Sequence, residues 1–247
     1  MATPEIFTSD ISYREEHFQA GGFNEPVAAE IFSAIHSSLP ITSFRYRVIK
    51  PLLDLLIVFL AFPVALPLGI FLAALIRITS RGSALYRHRR IGQFQQPLYV
   101  WKFRTMYADS DHVLEQHLSA NPEAREEWTR THKLRDDPRV TPIGRMLRKT
   151  SLDEIPQLLN VLAGDMSIVG PRPIVEEERA KYGRYFRTYT YALPGITGLW
   201  QVSGRCDVNY PERVQLDVQY VEQWGLWMEL KILMRTAFVI LHSKGAY

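Results

Sequence analysis

Apolar and polar positions fall into blocks of different period along this 247-residue chain. Residues 1–24 show no period and include Gly21-Gly22, which reads as a flexible start. Val27, Ile31 and Ile35 share one face of a short helix expected over 26–36, with Asn24 as a cap and Pro40 as its stop. The segment Leu55 to Ile76 then dominates: 22 uncharged, almost wholly apolar residues. At about 1.5 Å per residue such a run is long enough to cross a bilayer. Pro63, Pro67 and Gly69 sit in its middle, where proline removes a backbone hydrogen bond and kinks a helix. Both flanks are basic, whereas a spanning helix usually carries its basic excess on one side. Composition leaves open a re-entrant hairpin with both ends on one face and a plain span, with a buried soluble helix as the weaker third option.

Beyond this run the period shortens to two. Ala84 to Arg90 and Leu98 to Arg104 predict two strands joined around Gly92 to Pro97, with Tyr99, Trp101 and Phe103 alternating against Val100, Lys102 and Arg104. Residues 109–131 are charged and helical in composition, broken at Asn121-Pro122. Thr141-Pro142 opens another helix, with threonine as cap and proline first. A further helix is expected from Ser151 to a stop at Gly164, then a short extended piece over 168–173 and a helix over 176–186. Leu193 to Arg205 reads as a glycine-rich loop, and helices over 210–223 and 226–242 close the chain. In the last, Trp227, Leu230, Leu233, Met234, Ala237, Phe238 and Leu241 form one apolar stripe. Core packing is the plainer reading of that stripe. An interfacial helix beside the apolar run is the other, which Trp224 and Trp227 suit.

Charge sharpens this picture. The net charge is only +3, but from Phe44 to Thr105 the sole acid is Asp54, against ten lysines and arginines. Such a block calls for an anionic partner: lipid headgroups, phosphates or nucleic acid. Nucleic acid fits poorly, because the block abuts a bilayer-length apolar run and lacks interleaved aromatics. Asp54 itself costs free energy in an apolar run unless paired, and Lys50, one turn earlier, is its expected partner. Cys206 is alone, which excludes an intramolecular disulfide and reads as a small semi-buried side chain. No secretory signal opens the chain, so its bulk is expected in the cytoplasm.

Two segments carry candidate chemistry. In Ser151-Leu152-Asp153-Glu154-Ile155-Pro156, serine followed three residues later by glutamate reads as a capping box, with Asp153 stabilised by the helix dipole. The same physics allows a chemical role. A carboxylate at a helix start keeps a low pKa, ready to act as a nucleophile or to hold a cation, with N–H groups nearby for a phosphate. Arg145, Arg148 and Lys149 complete what looks like a site for Mg²⁺ and phosphate. In the second segment, Pro171 and Pro173 hold Arg172 in a stiff loop, either for bidentate phosphate binding or as a simple turn. Asp109-Ser110-Asp111 matches the DxD pattern of metal-dependent glycosyltransferases, but it is short and opens a charged helix. Walker, dinucleotide-binding and nucleophile-elbow motifs are missing, and His88, His132 and the other histidines have no ligand spacing.

Taken in order, a longer series of blocks decides between these readings. It runs through Lys102-Phe103-Arg104-Thr105-Met106, Arg148 to Leu158, Asn160-Val161-Leu162, Gly164-Asp165-Met166-Ser167, Val169 to Pro173, Pro194 to Gly198, Gln201 to Arg205 and Leu216-Asp217-Val218. Over residues 45–247 this series resembles the bacterial sugar transferase family, the monotopic polyprenyl-phosphate phosphoglycosyl transferases. The resemblance implies an α+β fold, mostly helical with a small β-hairpin, membrane-associated through one proline-kinked re-entrant (or transmembrane) helix. Pro63 matches the kink, with Phe62 where a serine is common. The expected organisation is an N-terminal extension over 1–44, a membrane region over 45–80 and a cytoplasmic catalytic domain over 81–247.

The resemblance also implies chemistry. Asp153 matches a nucleophile that attacks the β-phosphate of a UDP-sugar and expels UMP, before undecaprenyl phosphate takes the sugar-1-phosphate. Glu154 matches the second member of the dyad, and both carboxylates would hold Mg²⁺. Lys102, Arg104, Arg148, Arg172, Arg205 and Asp217 match substrate-binding positions. The length and the ending Gly245-Ala246-Tyr247 resemble exopolysaccharide-initiating members, which take UDP-glucose or UDP-galactose. The expected setting is the cytoplasmic face of a bacterial inner membrane, with phospholipid as partner. A homo-oligomer and contact with later glycosyltransferases of the pathway stay open. The competing classes are a DxD-type glycosyltransferase and a non-catalytic scaffold of a polysaccharide assembly complex.

Overall fold

A computed structural model describes residues 39–131, 134–204 and 208–242. The helix expected over 26–36, His132, Arg205, Cys206 and Gly245-Ala246-Tyr247 lie outside them. A turn at Pro40–Thr42 and a π-helical turn at Arg45–Ile49 lead into α1 (Lys50–Thr79). β1 (Leu85–Ile91) and β2 (Pro97–Phe103) pair as a hairpin, within one residue of the expected strands. α2 (Ser110–Ala120) and α3 (Pro122–Thr131) divide at Asn121, whose side chain accepts from the N–H groups of Glu123 and Ala124. α4 (Pro142–Thr150), α5 (Gln157–Leu162), β3 (Ser167–Val169), α6 (Arg179–Tyr182) and α7 (Phe186–Tyr189) follow. β4 (Gly195–Thr197), α8 (Leu199–Val202), α9 (Tyr210–Gln223) and α10 (Leu226–His242) complete the order.

With its lead-in, α1 makes a helix of 35 residues, long and apolar enough to cross a membrane, whose most apolar stretch is only 11% buried in protein. That removes the buried soluble helix. The helix runs on through Pro63 and Pro67, so neither proline ends it. Its buried positions recur every four residues, at Lys50, Asp54 and Val58 and again at Leu72 and Ile76. Between them Phe59, Leu60, Val64, Leu66, Ile70 and Phe71 are exposed.

The chain divides into two compact units. Among the described residues, one takes in 39–60, Arg89–Val100 and 157–242; the other takes in Ala61–His88 and Trp101–Pro156. In unit one, Val58, Leu98, Val100, Val161, Met166, Val169, Tyr220, Val221 and Ile232 share a core. Its parallel pair β3–β4 registers Ser167 with Gly195 and Val169 with Thr197, where a loop was expected around Gly195. Glycine is required there: a Cβ on Gly195 would lie 2.1 Å from the Gly170 nitrogen. The expected Lys50–Asp54 pair forms at 2.9 Å, and it belongs to a larger buried cluster. Glu229 also meets Lys50, at 2.8 Å, and Ser167 donates to Asp54 at 2.8 Å. The helix expected over 176–186 is broken at Gly183, whose φ of 50° ends α6.

In unit two, Leu72, Ile76, Ala84, Phe103 and Leu147 form the core. Thr141 caps α4 as expected, accepting from the Gly144 N–H at 2.9 Å. The helix expected from Ser151 to Gly164 does not form. Ser151 turns left-handed at φ 57°, Leu152–Glu154 makes one 3₁₀ turn, and regular helix begins only at Gln157, after Pro156. The stop at Gly164 holds, with φ at 79°. The capping box is also absent: no side-chain cap bond is made by Ser151, whose carbonyl instead accepts from the Glu154 N–H at 3.2 Å. A left-handed residue aims its side chain away from the following turn, which explains both differences.

Candidate active site

In unit two the site grows from the end of β2. Thr105, just past the strand, takes α4 directly onto its backbone: its carbonyl accepts from the Thr141 N–H at 3.0 Å. Helix and strand approach so closely that a Cβ on Gly144 would lie 2.0 Å from that carbonyl oxygen. This fixes α4, and Arg148 near its end donates from Nε to the Thr105 hydroxyl at 2.9 Å. Arg104 is fixed from the other side by the Ser80 carbonyl at 2.8 Å and the Ser80 hydroxyl at 3.1 Å. The 3₁₀ turn follows α4, and its flanking Leu152 and Ile155 pack on the cluster around Leu72, Ile76 and Phe103. The carboxylate turn therefore rests on the side of the apolar helix.

On that turn Lys102 Nζ lies 2.6 Å from Glu154 Oε1 and 4.0 Å from Asp153 Oδ2. The Asp153 side chain retains 13% exposure. Burial raises its carboxyl above the ordinary value; the charge of Glu154 adds to the rise, while Lys102 and Arg148 work against it. The low pKa expected from a helix start is thus corrected: a three-residue turn supplies little dipole, and desolvation outweighs it. The result is an anion-capable oxygen in a partly dry site beside two cations. Among the described residues no group of three or more His, Cys, Asp or Glu side chains is placed to hold a metal. Two adjacent carboxylates nevertheless fit Mg²⁺, which commonly takes one or two carboxylates and fills its remaining positions with phosphate oxygens and water.

Unit one holds Arg172 and Asp217. Pro171 and Pro173 are buried on either side of Arg172, whose carbonyl accepts from the Tyr189 hydroxyl at 2.7 Å. Its guanidinium lies 5.9 Å from the centre of the Trp200 ring, and Arg213 lies 4.6 Å from the same ring. Asp217 is 1% exposed and accepts from the Tyr182 hydroxyl at 2.8 Å. Burial pushes its carboxyl up to about 7, against the lowering influence of Tyr182, the Arg172 N–H and the charges of Arg172 and Arg213. So sealed a carboxylate suits holding the Arg172 loop better than touching a substrate. Asp109 and Asp111 are exposed at the start of α2.

The sequence reading left Ser80, Thr105, Gly144, Trp200 and Arg213 without roles. Thr105 sits inside the Lys102-Phe103-Arg104-Thr105-Met106 block, which was the available signal. The others are disclosed only by contacts across the fold.

Residues 45–243 match the profile described as bacterial sugar transferase. The chain is similar to the exopolysaccharide production protein ExoY of Sinorhizobium fredii, 48% identical over 194 residues, covering 78% of this chain and 86% of that protein. It is similar to the undecaprenyl-phosphate galactose phosphotransferase of Salmonella typhimurium, 47% identical over 202 residues, covering 81% of this chain and 42% of that protein. The UDP-glucose:undecaprenyl-phosphate glucose-1-phosphate transferase of Escherichia coli is 34% identical over 210 residues, covering 81% of this chain and 42% of that protein. With the match spanning nearly all described residues, Asp153 and Arg172 among them, the chain belongs to the bacterial sugar transferase family.

Proposed function

We propose that this sugar transferase moves hexose-1-phosphate from UDP-glucose or UDP-galactose to undecaprenyl phosphate, releasing UMP, as the first membrane step of exopolysaccharide or O-antigen synthesis. The observation that carries the reading is the partly exposed Asp153-Glu154 pair beside Lys102, on a turn packed against the apolar helix. Asp153 Oδ2 attacks the β-phosphorus; the bond from that phosphorus to the oxygen bridging to the α-phosphate breaks, and UMP leaves with that oxygen. The sugar-1-phosphate stays on the carboxylate as an acyl phosphate. An oxygen of undecaprenyl phosphate then attacks the same phosphorus, breaks the acyl–phosphate bond and restores Asp153. Lys102 and Arg148 offset the charge that gathers as phosphate approaches a carboxylate. Asp153 and Glu154 would hold Mg²⁺, which when bound neutralises diphosphate oxygens.

The setting follows from α1. Exposed basic residues flank both ends, at Arg45 and Arg47 and at Arg77 and Arg81, which suits a helix that enters and leaves by the cytoplasmic face of the inner membrane. Each proline frees a carbonyl four residues earlier, which permits the bend such a path requires.

The test is purified protein in nanodiscs with undecaprenyl phosphate and a panel of UDP-sugars. UMP is the expected product, and a sugar-phosphate adduct on Asp153 is expected by mass spectrometry when the acceptor is withheld. Failure of every sugar to yield UMP would sink the reading.

A further inference from the structure

Lys50 is buried between two carboxylates, Asp54 on its own helix and Glu229 on α10. One cation cannot satisfy both in a dry core, so each carboxylate needs further donors. Glu229 takes the indole N–H of Trp224 at 2.7 Å and the hydroxyl of Tyr220, both from around the end of α9. With Glu229 turned inward, the apolar stripe of α10 faces outward: Trp227, Leu230, Met234 and Phe238 are exposed, which corrects the core packing expected of it. Trp224, which suited an interface in the sequence, is buried. Asp54 draws its donors from a different element. The Ser167 hydroxyl reaches it at 2.8 Å and the Ile168 N–H at 3.3 Å, both from β3.

β3 needs that hold. It is three residues long and pairs with β4 alone, and so short a two-stranded sheet is marginal by itself. Asp54 fixes its start, and Tyr220 fixes its end, with the hydroxyl 2.8 Å from the Val169 carbonyl. From there the chain has no slack. Gly170 donates to the Thr197 carbonyl at 2.9 Å, and the Pro171 carbonyl accepts from the Gly195 N–H at 2.8 Å. A Cβ on Gly170 would lie 2.3 Å from the Leu193 carbonyl oxygen, so the segment cannot move toward β4. The next residue is Arg172. Its carbonyl is fixed by Tyr189, while its guanidinium makes no hydrogen bond or ion pair among the described residues. A rigid mount thus ends on an uncommitted cation.

We propose that Asp54 and Ser167 are positioning residues for Arg172: a buried carboxylate on α1 aims the loop whose guanidinium binds a phosphate of the UDP-sugar. The inference deepens the function proposed above and rests on it. Stability alone does not call for charge at this place, because apolar residues of like volume often serve as well as a buried ion pair. What the carboxylate adds is a single register for β3, set by two directional bonds to Ser167 and Ile168. An arginine fork grips phosphate through paired N–H groups in a fixed geometry, so a small shift of β3 is felt at Arg172.

The test is a double-mutant cycle on UMP release by the whole chain in nanodiscs with undecaprenyl phosphate. Ser167→Ala removes the hydroxyl and leaves the Lys50–Asp54 pair in place. It is expected to raise KM for the UDP-sugar about tenfold, the worth of a hydrogen bond to a charged group, with kcat within about twofold. In an Arg172→Met background the same change is expected to have no further effect, because its influence passes through Arg172. Additive losses overturn the proposal, since they mark a bond that serves stability alone. Where thermal unfolding shows Ser167→Ala to be poorly folded, Tyr220→Phe enters the same cycle from the other end of β3, with the same expectations. Hydrogen exchange over residues 168–174 reads the mount without turnover. It is expected to quicken about tenfold in Ser167→Ala and to stay at the wild-type rate over α5. Unchanged exchange over 168–174 overturns the proposal even where KM rises. A wild type that releases no UMP overturns the function, and the substrate role of the loop falls with it; faster exchange then still shows that Asp54 holds β3.

Discussion

Each unit holds a carboxyl group raised by burial, and the surroundings of the two differ. Asp153 keeps an open side, with Lys102 at 4.0 Å and Arg148 opposing the rise. Asp217 is sealed among Tyr182, Arg172 and Arg213, and its carboxyl stands at about 7. A group that must reach phosphorus needs an approach and nearby cations. A group that fixes a loop needs only a partner. A raised pKa alone therefore does not mark a nucleophile; access does.

The sharpest way to break that comparison is to remove each charge in turn. Asp153→Asn is expected to lower UMP release by about 10³-fold or more, as removal of a nucleophile does. Asp217→Asn keeps an acceptor for Tyr182 and is expected to stay within about tenfold of wild type, since only a supporting hydrogen bond is altered. Equal losses in two well-folded variants would show that access is the wrong criterion. Next in size, Lys102→Met leaves Glu154 and Asp153 without their nearest cation. A fall of about 10²-fold in kcat/KM is expected, comparable to loss of one preorganised electrostatic donor, with partial rescue by Lys102→Arg.

Gly144→Ala tests the scaffold under the open site. Its Cβ would press on the Thr105 carbonyl, so a loss of about 1–3 kcal/mol is expected in thermal unfolding, as for other overpacked positions. Activity should fall with it, because Arg148 is aimed from the same helix. A stable and fully active Gly144→Ala would separate α4 from the site.

The sealed carboxyl gives a smaller, signed effect. Its value is raised from 3.8 to about 7, so over that interval the folded chain holds a proton that the unfolded chain has lost. Stability from this group is full below the unfolded value and is lost as pH rises through about 7. Between about pH 5.5 and 7.5 the wild type should lose about 2 kcal/mol that Asp217→Asn does not. Matching pH profiles for the two proteins would show that Asp217 is not sealed.

What was legible in the sequence follows the range of the forces. The hairpin, the Thr141 cap, the break at Asn121 and the limits of α9 and α10 depend on neighbours within a few residues, and they were read to within about a residue. The Lys50–Asp54 pair was legible because four residues make one turn. Glu229, the third member of its cluster, was not, because it comes from the far end of the chain. The Ser151 box failed because Ser151 closes α4, left-handed with its N–H on the Arg148 carbonyl, instead of opening a new helix. The α10 stripe was periodic, as expected, but periodicity cannot say which side of a helix meets protein. In the site, Asp153, Glu154 and Lys102 converge, whereas the posts that orient Arg104 and Arg148 appear only in the fold.

The smallest expected effect concerns a second pair of carboxylates. Asp109 and Asp111 carry the DxD pattern, yet they stand exposed at the start of α2, and no side-chain cap bond is made by Asp109. Exposed acids near a helix start contribute only a few tenths of a kcal/mol through the dipole. Asp111→Ala should therefore leave both stability and the yield of UMP close to wild type. The nature of the product matters as much as its amount. A DxD-type glycosyltransferase acts at the anomeric carbon and leaves UDP, whereas attack at the β-phosphorus by Asp153 leaves UMP. If Asp111→Ala abolished turnover and the wild type released UDP, the dyad beside Lys102 would be a scaffold and the acids of α2 the catalysts. With UMP released and Asp111→Ala active, openness alone is insufficient as well. A working carboxylate then needs both access and the cations that Lys102 and Arg148 bring to Asp153.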